Sequence, residues 1–215
     1  PVNLQKSEVP SNFLINQFSY SIELRQAMAE IYEENQRYLE SCNIYEQLKD
    51  ADPKNKKAHL GLGVCYQGQA LFDKALKSYL QAVVSDPSDP EGKIKAGLLY
   101  LQTEKYQEAI NQFKGALEIN PRYPRINYLI GKALLAKGDS YQALQSALEE
   151  RKLNPNLVDS YLLAAESYSS TQQYSKCATE YQQAIRLGAS GSDTYVKMAR
   201  CNRQSGSLDV AENIL

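Results

Sequence analysis

Apolar and small residues recur along this chain at helical spacing, and the recurrence itself repeats every 34 residues. With repeats beginning at residues 22, 56, 90, 124, 158 and 192, position 8 reads Ala29, Gly63, Gly97, Gly131, Ala165, Ala199. Position 20 reads Ser41, Ala75, Ala109, Ala143, Cys177, Ala211, and position 11 reads Tyr32, Tyr66, Tyr100, Leu134, Tyr168, Asn202. Position 24 reads Tyr45, Tyr79, Phe113, Ala147, Tyr181, Leu215. Positions 4, 7, 8 and 11 share one face of a first helix, A, and positions 20, 24 and 27 share one face of a second, B. Small residues at positions 8 and 20 let the two backbones approach, and large ones at 11 and 24 fill the space between neighbouring repeats. The pattern predicts consecutive helix pairs.

The punctuation agrees with it. Pro53, Pro87, Pro121 and Pro155 lie 34 residues apart, each after an Asp or Asn: Asp52, Asp86, Asn120, Asn154. A proline lacks the backbone donor and disfavours helical geometry in the residue before it, so each stops a helix B. Pro90 and Pro124 are expected to open the next helix A, with Asp89 as an N-cap. Gly68, Gly138 and Gly206 are expected to mark the turn between A and B. The fifth repeat has Gly188-Ala189 in place of the proline, with Asp193 the expected cap of the next helix.

Residues 56–89 carry Leu62, Gly63, Tyr66, Phe72, Ala75, Tyr79, Ala82 and Pro87 in a register that resembles the tetratricopeptide repeat. The resemblance covers residues 22–215. It implies an all-α solenoid of antiparallel helix pairs forming a right-handed superhelix, with a concave face lined by the A helices. Units are expected at 22–55, 56–89, 90–123, 124–157 and 158–191, with a partial one at 192–215. Residues 1–21 do not fit the period; a cap on the first repeat, a linker or a groove filler are the alternatives for this segment. A stacked array needs a polar cap at its end, so the natural chain is expected to continue past Leu215 or to be covered there. The missing initiator Met points to processing or to a cut from a longer chain.

The fourth repeat departs most, with Ser140, Ala147 and Glu150 at positions 17, 24 and 27. Tyr141 or Leu148 is expected to refill the space left by the missing aromatic; the sharper alternative is a soft seam between the fourth and fifth repeats.

Composition narrows the function. Lys and Arg number 24 against 25 Asp and Glu, a net charge of −1, which argues against nucleic acid as a partner. No apolar stretch is long enough to insert in a membrane. The four cysteines show no CxxC spacing, His59 is the one histidine, and no metal or other cofactor is expected. "GLGVCYQG" (61–68) and "IGKALL" (130–135) lack phosphate-loop spacing, and no catalytic constellation appears. The expectation is a non-enzymatic chain. Cys42, Cys65, Cys177 and Cys201 occupy small buried positions and are expected to be free thiols in a reducing, cytoplasmic setting. Cys42 with Cys65, and Cys177 with Cys201, lie on adjoining B and A helices and would bond only if correctly aimed.

The family resemblance places ligand contacts at positions 2, 5, 9, 12 and 13 of helix A. Carried over residue by residue, it implies a groove with Glu30 and Glu33 at an acidic end. Leu60, Val64, Gln67, Ile94, Leu98, Leu101, Arg125, Tyr128, Lys132, Leu135 and Leu162 lie along it, and Arg200 and Arg203 at a basic end. The expected partner is a protein or peptide segment, apolar with a basic end. A bland alternative for position 5 is partial packing between repeats, which would leave Leu60, Ile94, Tyr128 and Leu162 semi-buried. The residues do not reproduce the carboxylate clamp of chaperone-binding members. The other readings are a scaffolding region of a larger protein or enzyme, and a self-associating scaffold, that is, a homo-oligomer.

Overall fold

The computed structural model of the chain describes residues 21–212. Among them lie twelve α-helices and no strand. They are α1 (Ile22–Glu34), α2 (Tyr38–Ala51), α3 (Lys56–Gly68), α4 (Phe72–Ser85), α5 (Glu91–Gln102) and α6 (Tyr106–Ile119). Then follow α7 (Ile126–Lys137), α8 (Ser140–Leu153), α9 (Val158–Ser170), α10 (Tyr174–Arg186), α11 (Ser192–Gln204) and α12 (Leu208–Glu212). Odd-numbered helices are the A members of the period and even-numbered ones the B members, so the fold is an all-α array of antiparallel pairs. Contacts divide the chain into two compact parts, Pro1–Asp86 and Pro87–Leu215. The first contains α1–α4 and the second α5–α12, and within each part every helix packs on its neighbours in sequence. The expectations for residues 1–20 and for the chain's last three residues lie outside the described residues.

One backbone device makes all six A-to-B turns. The residue at position 15 is left-handed every time: Gln36 (φ 58), Ala70 (58), Glu104 (59), Gly138 (97), Gln172 (58) and Gly206 (88). The amide two residues after the A helix's final turn reaches back five residues in each case, as in Arg37 N to Tyr32 O at 2.8 Å and Asp139 N to Leu134 O at 2.8 Å. This is the Schellman closure of a helix C-terminus. Gly138 and Gly206 serve it as expected, but Gly68 does not: it is the last residue of α3, and Ala70 takes the left-handed position instead. Gly68 answers to packing, because a Cβ there would come within 2.5 Å of the Tyr38 ring.

The B helices stop at the residue before proline. Asp52, Asp86, Asn120 and Asn154 are extended C-caps with φ between −145 and −132, the geometry that a following proline imposes. In the fifth repeat Gly188 (φ 107) closes α10 without a proline, and Ala189 N donates to Ala184 O at 2.9 Å. Asp89 does help to start α5, accepting from Glu91 N at 2.8 Å. Two other starts differ from expectation. Gly191 is the cap of α11, and Asp193 lies in its first turn, ion-paired with Lys197 at 2.8 Å. Pro124 does not open α7; the chain makes a left-handed turn at Arg125 (φ 69) and the helix begins at Ile126.

Aromatic side chains set the spacing between helices. The Tyr79 ring lies over Gly63, where a Cβ would approach it to 2.2 Å, so the small residue at position 8 is a requirement of close approach. In the fourth repeat no aromatic fills the equivalent place. Leu163, from α9, does so: its Cδ2 sits 2.6 Å from where a Cβ on Gly131 would be. The expected refill by Tyr141 does not occur, since that side chain is 70% exposed; Leu148 is half-buried beside Ala147 and Leu163. The junction to the fifth repeat is also tied by Arg151, which pairs with Glu180 at 2.5 Å and lies 3.8 Å over the Tyr161 ring.

The free-thiol expectation is overturned. Cys42 is bonded to Cys65 and Cys177 to Cys201, and no free cysteine remains. The adjoining B and A helices bring the Cα atoms of each pair to 5.6 and 6.0 Å with the side chains aimed at one another. This is the condition that sequence spacing leaves open. No described helix is long and apolar enough to cross a membrane.

Candidate protein-binding face

The A helices carry the residues expected to meet a ligand, and they are described for each part in turn. In the first part, Glu30 on α1 is exposed and Glu33 half-buried, its carboxylate accepting from Ser41 Oγ at 3.2 Å. On α3, Leu60 is buried (7% exposed), Val64 is half-buried, and Gln67 accepts from the Tyr79 hydroxyl at 2.8 Å. Gln67 therefore has a structural task, holding the phenol of the ring that packs on Gly63.

In the second part, Ile94 on α5 is buried within the core that contains Ile110 and Phe113. Leu60 and Ile94 are thus corrections: at these two repeats position 5 is closed over by neighbouring helices, whereas Tyr128 and Leu162 at the same position stay half-buried. Leu98 (36% exposed) and half-buried Leu101, one turn on, remain at the surface of the same helix. On α7, Tyr128 and Leu135 are half-buried and Lys132 is exposed, and on α9 Leu162 is half-buried. Arg125 is exposed, but its guanidinium bonds Asp159 at 2.5 Å and lies 5.6 Å over the Tyr128 ring. This pairing gives Arg125 an intramolecular partner on the next A helix. Arg200 and Arg203 on α11 are exposed.

Three residues that the period places far apart in sequence do meet. Leu135, Glu166 and Arg200 line one cavity of about 320 Å³, together with Ser169, Tyr181 and Lys197. Lys197 bridges Glu166 (3.0 Å) and Asp193 (2.8 Å), and these two carboxylates hold its ammonium well above the ordinary lysine range, Asp193 most strongly. Burial, then the Glu166 charge, pushes the Tyr181 hydroxyl up to about 12, so it stays a neutral donor. Lys197 stands at position 6, outside the groove positions carried over above, and its salt partner four residues earlier is the trace of it in the sequence. A second cavity of about 300 Å³ lies in the first part, lined by His59, Tyr66, Lys74 and Lys77 among others. His59 is buried there and donates from Nε2 to the Pro53 carbonyl at 2.9 Å, a packing role. Among the described residues no three metal-ligating side chains come together.

Known proteins share this fold. A profile described as tetratricopeptide repeat matches residues 27–90, and one described as TPR repeat matches 97–138. Similar relatives include the probable UDP-N-acetylglucosamine–peptide N-acetylglucosaminyltransferase SPINDLY of Hordeum vulgare, 23% identical over 73% of this chain. Another is the DnaJ homolog subfamily C member 7 homolog of Dictyostelium discoideum, 22% identical over 81% of the chain. The chain spans 17% and 35% of those two proteins. Among solved structures, PilF of Pseudomonas aeruginosa superposes with a TM-score of 0.76 at 18% identity, covering 90% of this chain and 88% of that one. MamA superposes at 0.68 and 19% identity, covering 74% and 93%. At those identities the likeness is one of fold. On both matched stretches and the fold they share, the chain belongs to the tetratricopeptide repeat family.

Proposed function

We propose that this chain is a non-enzymatic adaptor that holds a segment of a partner protein against its A helices. The observation that carries the reading is the run of incompletely covered apolar side chains on α5, α7 and α9: Leu98, Leu101, Tyr128, Leu135 and Leu162. Leu98 is on a helix whose core face is already satisfied by Ile94, Ala96 and Leu99, so packing does not account for it. Covering such surface regains about 25 cal/mol per Å², and an amphipathic helix or extended apolar peptide fits it. On the first part, exposed Glu30 on α1 favours basic residues in whatever segment meets that part, a contact independent of the apolar one.

The test is selection of a displayed random-peptide library on the purified chain. Enrichment of apolar peptides is expected. The Leu98→Ser/Leu101→Ser variant should bind the selected peptides about tenfold more weakly, a loss of about 1.4 kcal/mol, while remaining fully helical at the assay temperature. Because Leu101 also packs on the core around Phe113, the variant's thermal midpoint falls without unfolding the chain. Unaltered affinity would overturn the reading.

A second reading has this chain as the repeat region of a longer protein whose activity lies elsewhere. The small share of the relatives that it spans favours it, and a catalytic domain encoded in the same full-length gene product would decide for it. The cytoplasmic setting expected above is not proposed, because it rested on thiols that are bonded here.

A further inference from the structure

All four cysteines of the sequence are engaged in two bonds. Cys42–Cys65 ties α2 to α3, and Cys177–Cys201 ties α10 to α11, so each joins helix B of one repeat to helix A of the next. The two are near-copies in the period. The A-helix cysteine is at position 10 in both, and its partner at 21 in one and 20 in the other. The other repeats hold Ile31, Leu99, Ala133 and Ser167 at position 10, and no further cysteine at 20 or 21. A cysteine that serves only as a small filler has no reason to appear on both sides of a junction every time it appears.

We infer that this chain matures by thiol oxidation at these two junctions and works in an oxidising compartment. Reducing cytosol keeps such pairs open through glutathione and thioredoxin. The reaction class required is dithiol–disulfide exchange with a protein oxidant. At each junction one cysteine thiolate attacks a sulfur of the oxidant's disulfide, whose S–S bond breaks as a mixed disulfide forms. The second cysteine's thiolate then attacks the mixed bond, closing the pair and releasing the oxidant's second sulfur. The pair's two electrons leave with the oxidant, now a dithiol, and the pair's two protons are released to it or to water.

Burial dictates when this happens. Cys65 and Cys177 are 0% exposed, and their partners Cys42 and Cys201 are 7% and 3% exposed. Exchange needs access for the attacking sulfur, so it precedes the final docking of α2 on α3 and of α10 on α11. After docking, the same burial shuts small thiols out. Sensor cysteines are exposed by contrast, so these bonds are permanent clasps. Each lies within one compact part, which makes the two oxidations separate events.

The test traps the thiols in the cells that naturally make the protein. Cells are quenched in acid and denatured in N-ethylmaleimide, and the chain is isolated, digested and mapped by mass spectrometry. No maleimide on any cysteine is expected, with linked peptides joining Cys42 to Cys65 and Cys177 to Cys201. Maleimide on all four cysteines, or bonds between other cysteines, overturns the inference. Refolding of the purified chain in mixed glutathione adds a second measurement. The Cys42→Ser/Cys65→Ser variant should still close Cys177–Cys201, and failure to do so while fully helical by circular dichroism would overturn the independence of the two steps.

Discussion

Glu150 stands at position 27, where the period asks for an apolar side chain, and it is 0% exposed. Its carboxylate accepts from the Arg125 amide at 2.9 Å, the Tyr128 amide at 3.4 Å and Asn154 Nδ2 at 2.5 Å. Helix α7 has no side-chain cap of its own, since Arg125 occupies the cap position in a left-handed conformation. A carboxylate from α8 thus satisfies amides that the helix's own sequence leaves orphaned, and its charge suits the positive end of the helix dipole. Glu150→Leu should therefore destabilise by about 3 kcal/mol, as the part-buried amides at the start of α7 lose their acceptor. Glu150→Gln, which keeps one oxygen, should cost about 1 kcal/mol. Urea titrations of both variants measure the difference, and equal losses would show that volume rather than the acceptor matters.

At the scale of the element, the turn repeats more faithfully than the sequence that makes it. Four of the six left-handed positions carry Gln36, Ala70, Glu104 and Gln172, residues with a Cβ that disfavours this geometry. The Schellman bonds hold them there. Ala70→Gly and Glu104→Gly should each stabilise the fold by about 1 kcal/mol, because relief of the Cβ clash exceeds the entropy that glycine loses. A fall in the unfolding midpoint of either variant would contradict this. The converse change, Gly138→Ala, should cost a similar amount.

Across the whole molecule, stability in a repeat array is a sum of repeats and of the junctions between them. Two junctions carry a covalent bond, closing loops with sequence separations of 23 and 24. Loop-closure entropy at that length is worth about 3 to 4 kcal/mol each. Unfolding and refolding the chain under a strong dithiol should lower the thermal midpoint by roughly 15 °C, read by circular dichroism against the oxidised chain. The Cys42→Ser/Cys65→Ser variant should show about half that response. An unchanged midpoint after verified reduction would remove the clasps from any account of stability.

The helix pairs, their stops and the small-over-large packing were legible in the residues themselves. A 34-residue period of Gly or Ala against Tyr or Phe leaves helical hairpins as the arrangement that buries both faces. The surface was less legible: Leu60 and Ile94 read as ligand contacts but are buried, whereas Leu98 and Leu101 keep exposed area. Position in a period states which way a Cα–Cβ bond points along one helix, and whether a neighbouring helix closes over it depends on the approach of that neighbour. The same limit hid the cap that Glu150 supplies to α7, the filling of repeat 4 by Leu163 from α9, and the pairing of the cysteines. By itself the sequence determined the helices and their order, because hydrogen bonds and steric limits within a few residues set them. Tertiary structure alone decided burial, ion pairing and disulfide formation, because each requires two segments distant in sequence to meet at a particular distance and angle.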